Sequence, residues 1–172
     1  YACALFPASE AKAELRGLEI GQVSGPLDAS SGTKFARCAY GFGPAAIVVA
    51  ALEIRRHPDP VELRRKIEAS LPLLRRLTED DVEEIPGLGD IAWWAGDELR
   101  ILKLGWRDLE LIVTVQPGDE PGFHRAVAER IARRALFRLA EEPIPEELRI
   151  APLEVQLDAP AGATPAEPEA AP

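Results

Sequence analysis

Residues 85–115 read IPGLGDIAWWAGDELRILKLGWRDLELIVTV, and the fold depends on how this stretch divides. PGLGD marks a tight turn, in which Gly87 and Gly89 supply backbone angles closed to other residues and Asp90 bonds nearby amides. A short aromatic strand follows, then two longer strands joined at residues 105–108. Leu109, Leu111, Val113 and Val115 alternate with more polar neighbours, the pattern of a strand with one face in a core. All three tryptophans, Trp93, Trp94 and Trp106, lie here. In a strand over residues 91–95, Trp93 and Trp94 point to opposite faces; either Trp94 lies inside and Trp93 outside, or a helix or the tail covers the second face and both indoles are structural. The three indoles are accordingly the expected ligand or partner contact.

Two strands upstream fit the same sheet. Residues 34–41 and 45–55 flank the turn GFGP, and the second is apolar on both faces through Ile47, Val48, Val49, Ala50, Ala51 and Leu52. Such a strand is central and covered on both sides. Asp59 opens a helix with Pro60 at its first position and Glu62 three residues after the cap, a capping-box arrangement. Its expected buried face is Val61, Leu63, Ile67, Leu71 and Leu74, with a break or kink near Ser70 imposed by Pro72. Nearer the start, residues 7–16 read as a short helix stopped by Gly17, residues 18–23 as a strand, and residues 24–33 as a loop.

Downstream, residues 121–140 form a helix whose buried stripe is Phe123, Val127, Ile131, Ala135 and Leu139. Arg130, Arg134 and Arg138 recur at i+4 on the opposite side. They are the expected contact for an anion or acidic partner, against the plainer alternative of a solvated face. Strand, turn, strand, proline-bearing linker, helix thus occurs twice, as a pseudo-repeat of strand-strand-helix units. The fold class is α+β, an antiparallel sheet with helices packed on it.

With 172 residues, 47% of them apolar, the chain has enough material for one domain with a real core. Residues 1–142 are read as that domain. Residues 143–172 hold seven of the sixteen prolines and form a Pro/Ala/Glu-rich acidic tail, expected to be largely disordered from about residue 158. Within the tail, LEVQL at 153–157 alternates like a strand. From residue 141 onward eight acids face Arg149 alone, which accounts for −7 of the formal charge of −9. The body is therefore nearly neutral, unlike a dedicated nucleic-acid binder. No run of apolar residues is long enough to span a membrane. The chain starts at Tyr1 and lacks methionine, so a trimmed product is expected, with a signal peptide or membrane anchor possible upstream.

The chemistry-bearing residues are few. Two cysteines, Cys3 and Cys38, and two histidines, His57 and His124, are too scattered for a structural zinc site. No metal and no cofactor is expected. A disulfide fits an extracytoplasmic protein; a pair of free buried thiols fits a cytosolic one, and a lipid-modified Cys3 is a third option. No phosphate-cradling GxxxxGK, GxSxG elbow or HExxH occurs. The GLGD segment has no third glycine and leads into a strand rather than a helix, so it is not a dinucleotide loop. The acids Glu83, Glu84, Asp90 and Asp97 could supply a catalytic pair, but acids in such a context are usually solvent-facing, and no enzyme is expected.

Cys3-Ala4-Leu5 before a short helix, Arg37-Cys38-Ala39-Tyr40 in a strand, then Ile85-Pro86-Gly87-Leu88-Gly89-Asp90-Ile91-Ala92, a hairpin and a closing Ala/Arg/Leu helix together resemble a family of small bacterial cell-envelope lipoproteins of unknown function. The same pattern, over residues 3–140, resembles the extracellular sensor domains of receptor serine/threonine kinases, although their second disulfide has no counterpart here. The resemblance implies an exported domain with a Cys3–Cys38 bond and a ligand-binding or sensory role. Its partner would be a small molecule or an envelope protein. It supplies no catalytic residue. A structural or protein-interaction module of the envelope is the alternative expectation, and a hydrolytic enzyme with an unrecognised acidic site the second.

Overall fold

The computed structural model describes residues 2–15, 20–28, 34–42, 47–57, 59–77, 82–95, 98–103, 109–116 and 122–150. Its elements run α1 (Ala2–Leu5), α2 (Ala8–Glu14), β1 (Ile20–Asp28), β2 (Lys34–Phe42), β3 (Ile47–Arg56), α3 (Pro60–Leu77), β4 (Glu83–Glu84), β5 (Ile91–Ala95), β6 (Glu98–Lys103), β7 (Leu109–Val115) and α4 (Phe123–Ala140), with a short 3-10 turn at Glu146–Leu148. The fold is α+β. Seven antiparallel strands form one sheet in the order β1-β2-β3-β7-β6-β5-β4. Chain neighbours pair as meanders on either side, and the long-range pairing of β3 with β7, Ala50 opposite Val115 to Arg56 opposite Leu109, joins the two halves.

Register decides which side chains share a face. Cys38 and Tyr40 of β2, Ala50, Leu52 and Ile54 of β3, the odd-numbered residues of β7, and Ala92 and Trp94 of β5 belong to the main core. α1, α2 and α4 close it with Leu5, Phe6, Ala11, Leu15, Val127, Ile131, Ala135 and Leu139. The opposite face carries a second cluster of Leu71 from α3 with Val82, Ile91 and Trp93, against which Leu63 and Ile67 pack. α4 thus lies on one face of the sheet and α3 on the other.

That arrangement corrects several expectations. β7 is not half-buried: Glu110 and Ile112, on the face opposite its main-core residues, are also buried, in a strand that stands fourth of seven and whose Glu110 meets His57. Trp93 is buried too, at 4% exposure, beneath α3 rather than in solvent. β1 continues to Asp28 through the stretch read as a loop; it ends the described sheet order, where the missing N–H of Pro26 is tolerated. α3 runs through Pro72 without ending. Pro72 is exposed, so its ring meets no core neighbour, and neighbouring turns hold the helix past the lost hydrogen bond. Asp59 caps α3 as expected, its Oδ1 accepting from the Glu62 N–H at 2.9 Å. Val61 is 75% exposed instead of buried, because the helix meets the sheet through Leu63, Ile67 and Leu71 further along.

Cys3 and Cys38 are bonded, tying α1 to β2. The knot is reinforced by Tyr40, whose hydroxyl donates to the Phe6 carbonyl oxygen at 2.5 Å and whose ring meets that of Phe6 edge-on at 4.9 Å. Beyond α4 the chain stays in contact with the body past residue 142, as Arg134 Nη1 donates to the Leu148 carbonyl at 3.2 Å, and the segment bonds to itself through Arg149 Nε and the Ile144 carbonyl at 3.0 Å. The 153–157 segment and the low-complexity end lie outside the described residues, as does Trp106.

Candidate functional site

A cleft of about 450 Å³ lies between the 86–89 turn and the C-terminal half of α4, lined by Gly87, Leu88, Arg133, Leu136, Phe137, Leu139, Ala140 and Glu142. Its size falls within the range of small-molecule sites. The turn wall exists because Gly87 and Gly89 hold φ of 72° and 67°, the left-handed region in which a side chain is strained. Nothing lies within 4 Å of where a Gly87 Cβ would stand, so the backbone there faces open space. Leu88, 2% exposed, anchors the turn in the main core.

The helical wall follows from spacing. Positions 133, 136, 137 and 140 recur at i, i+3, i+4 and i+7 and share one face of α4. Leu136 and Phe137 on that face are only half-buried, with Leu139 buried behind them. At the helix end Glu141 adopts the left-handed conformation, and the Glu141 and Glu142 amides donate to the carbonyls of Arg138 and Phe137 at 3.2 and 2.9 Å. This reversal satisfies helix carbonyls and swings Glu142 to the cleft rim.

The charges of α4 are divided between structure and cleft. The row Arg130, Arg134, Arg138 faces anions of its own chain. Arg130 Nη2 reaches Glu14 Oε2 at 2.7 Å and Arg134 Nη2 reaches Glu14 Oε1 at 2.5 Å. Arg138 pairs with Glu10 and donates to the Leu5 carbonyl at 2.8 Å. Arg134 Nε lies 3.2 Å from Glu10 Oε2, an ion pair whose angle does not make a hydrogen bond. Arg134 is 1% exposed and also donates to the Leu148 carbonyl of the C-terminal segment, so the row is largely taken up by its own chain and clamps α2 onto α4. Burial pushes the Glu14 carboxyl up, the hydrogen bonds from Arg130 and Arg134 pull it down further, and the net position is below the ordinary 4.5. Arg133, one residue off the row, forms no side-chain ion pair or hydrogen bond among the described residues, and the Glu142 carboxylate likewise has none.

The other expected site residues are dispersed. Trp94 packs in the main core with its ring 5.3 Å from that of His124; neither it nor Trp93 lines the cleft. Of the acids, Glu83 accepts from Arg125 Nη1 at 2.6 Å, a hydrogen bond that holds its carboxyl below the usual range. Glu84 and Asp90 are exposed, and Asp97 lies outside the described residues. On the α3 face of the sheet Glu53 pairs with Arg55 at 2.9 Å and with Arg37 at 3.3 Å, and His57 Nε2 sits 2.8 Å from the buried Glu110 carboxylate. Among the described residues no group of three or more His, Cys, Asp and Glu is placed to hold a metal ion, and no helix is long and apolar enough to cross a membrane.

The sequence reading missed Arg133, Leu136, Phe137 and Glu142. Part of the signal was present: Leu136 and Phe137 are large apolar residues that fall off the Phe123–Leu139 stripe, and a second apolar strip marks a second surface to cover.

No protein-family model, no curated protein and no solved structure matches the chain. The fold and the cleft together define it as a disulfide-bonded α+β domain with a charged-and-apolar cleft.

Proposed function

We propose that this chain is an extracytoplasmic ligand-binding or sensory domain, without catalytic activity of its own, whose site is the cleft between the 86–89 turn and α4. The single observation that carries this reading is the contrast along one helix: Arg130, Arg134 and Arg138 are matched by Glu10 and Glu14, whereas Arg133 stands unmatched among the described residues beside half-buried Leu136 and Phe137 in a concavity. Binding sites combine apolar walls with a few convergent polar groups in this way. The Cys3–Cys38 bond supports an oxidising compartment, and with it secretion or attachment to the cell envelope.

The test uses N-phenyl-1-naphthylamine, a neutral apolar dye that fluoresces when removed from water. Fluorescence should rise saturably with the native chain and should fail to do so with Ala140→Trp, which fills the cleft from an exposed position. Equal titrations for both proteins would contradict the assignment. A second reading, an interaction module of the envelope, draws on Val61 and Ile47, exposed at 75% and 60%; dye binding abolished by Val61→Lys rather than by Ala140→Trp would favour it.

A further inference from the structure

We propose that the cleft takes a short apolar peptide of three to four residues, its C-terminal carboxylate on Arg133 and its free amino end at Glu142. This rests on the cleft being the binding site and goes on to say what the site recognises.

The argument is one of charge order along a wall. Arg133 stands at one end of the cleft strip, Leu136 and Phe137 in the middle, and Glu142 at the other end, just past the terminus of α4. A guanidinium with no partner offers paired donors to a planar carboxylate, a geometry that a lone ammonium cannot match. At the opposite end the Glu142 carboxylate and the negative end of the α4 dipole both favour a cation. A ligand carrying only anionic groups meets repulsion there, and a purely apolar one leaves both charges without a partner. A zwitterion with an apolar body answers the whole strip.

Length narrows the class further. Arg133 and Ala140 are seven residues apart, about 10–11 Å along the helix axis. Three to four residues of extended chain span about 10–13 Å. A single amino acid, whose charges sit on one carbon, cannot reach both ends. On the facing wall the open space beside Gly87 lets an extended backbone lie close to the turn.

The experiment is calorimetric titration of the full chain with Ala-Leu-Leu-Ala, its C-terminal amide, its N-acetyl form and octanoate, alongside the naphthylamine dye. The free peptide should bind at least tenfold more tightly than the amide or the acetylated form. Arg133→Gln should abolish the preference over the amide while keeping the preference over the acetylated form, and Glu142→Gln should do the reverse. Octanoate binding as tightly as the peptide, with Glu142→Gln indifferent, would overturn the peptide in favour of a simple apolar carboxylate. A free peptide that binds no better than its amide would overturn the role of Arg133. Dye bound in the cleft with no peptide binding would overturn the ligand class while leaving the site standing; neither dye nor peptide binding would remove both.

Discussion

Arg134, 1% exposed, places Nη2 2.5 Å from the Glu14 carboxylate, joining α4 to α2 across 120 residues of sequence. A charge this buried is held only by its partners, which makes the pair a structural clamp rather than a place for a ligand.

Removing the buried member should therefore be costly and removing the outer one cheap. Arg134→Ala leaves Glu14 and Glu10 short of a cation in the interior and should lose about 3–5 kcal/mol of unfolding free energy. Arg130→Ala removes a side chain that is 42% exposed and should lose about 1 kcal/mol or less. Urea unfolding of the two variants measures both; similar losses would show that Arg134 is not the member the clamp depends on.

The same clamp sets an acid limit. The lowered Glu14 pKa means that the folded protein binds this proton less readily than the unfolded chain. The stabilisation is fully present above the ordinary value of 4.5 and is lost as pH falls through the depressed value. Thermal melts between pH 7 and pH 3 should drop on the acid side, and Glu14→Gln, less stable at pH 7, should converge with the native chain there. A constant gap between the two curves across that range would contradict the assignment.

The disulfide closes a loop between residues 35 apart, and on the chain-entropy model this is worth about 3–4 kcal/mol. Cys3→Ala with Cys38→Ala should lose that much in guanidinium unfolding. Thiol titration of the denatured, unreduced native chain should find no free thiol.

Both adjacent indoles are structural. Trp94→Ala opens the main core and Trp93→Ala the α3-side cluster, and each should cost about 3–5 kcal/mol while leaving dye affinity at the cleft unchanged in the folded fraction. Stability retained by Trp93→Ala would show that α3 does not cover that face.

Pro72 is a defect the helix tolerates. Replacing it with alanine restores an amide donor in the interior of α3 and should raise stability by about 1–3 kcal/mol, read as a higher melting temperature. A lower one would mean that the backbone geometry Pro72 imposes is needed for Leu63, Ile67 and Leu71 to reach the sheet.

The strands and helices were legible because their periods are strong. The central β3, the Asp59 cap and the α4 stripe stand where pattern puts them, although Ile47 at the start of β3 is exposed rather than covered. What sequence does not carry is which second element covers a given face. Alternation puts Trp93 and Trp94 on opposite faces without saying what covers each, and Trp93 is buried beneath α3; Glu110, a polar alternate of β7, is buried beside His57. Arg134 looks solvated because its matching carboxylates, Glu10 and Glu14, lie more than a hundred residues away. The cleft escaped notice for the same reason. Arg133 is distinguished only by having no partner, a property that exists once its neighbours have found theirs.

The most direct test of the cleft as the binding site is an amide chemical-shift map of the uniformly nitrogen-15-labelled chain titrated with Ala-Leu-Leu-Ala. Saturable shifts should concentrate at Gly87, Leu88 and Gly89 and from Arg133 to Glu142, with Ile47 and Val61 unmoved. Shifts centred on Ile47 and Val61, or none that saturate at the turn and the end of α4, would contradict it.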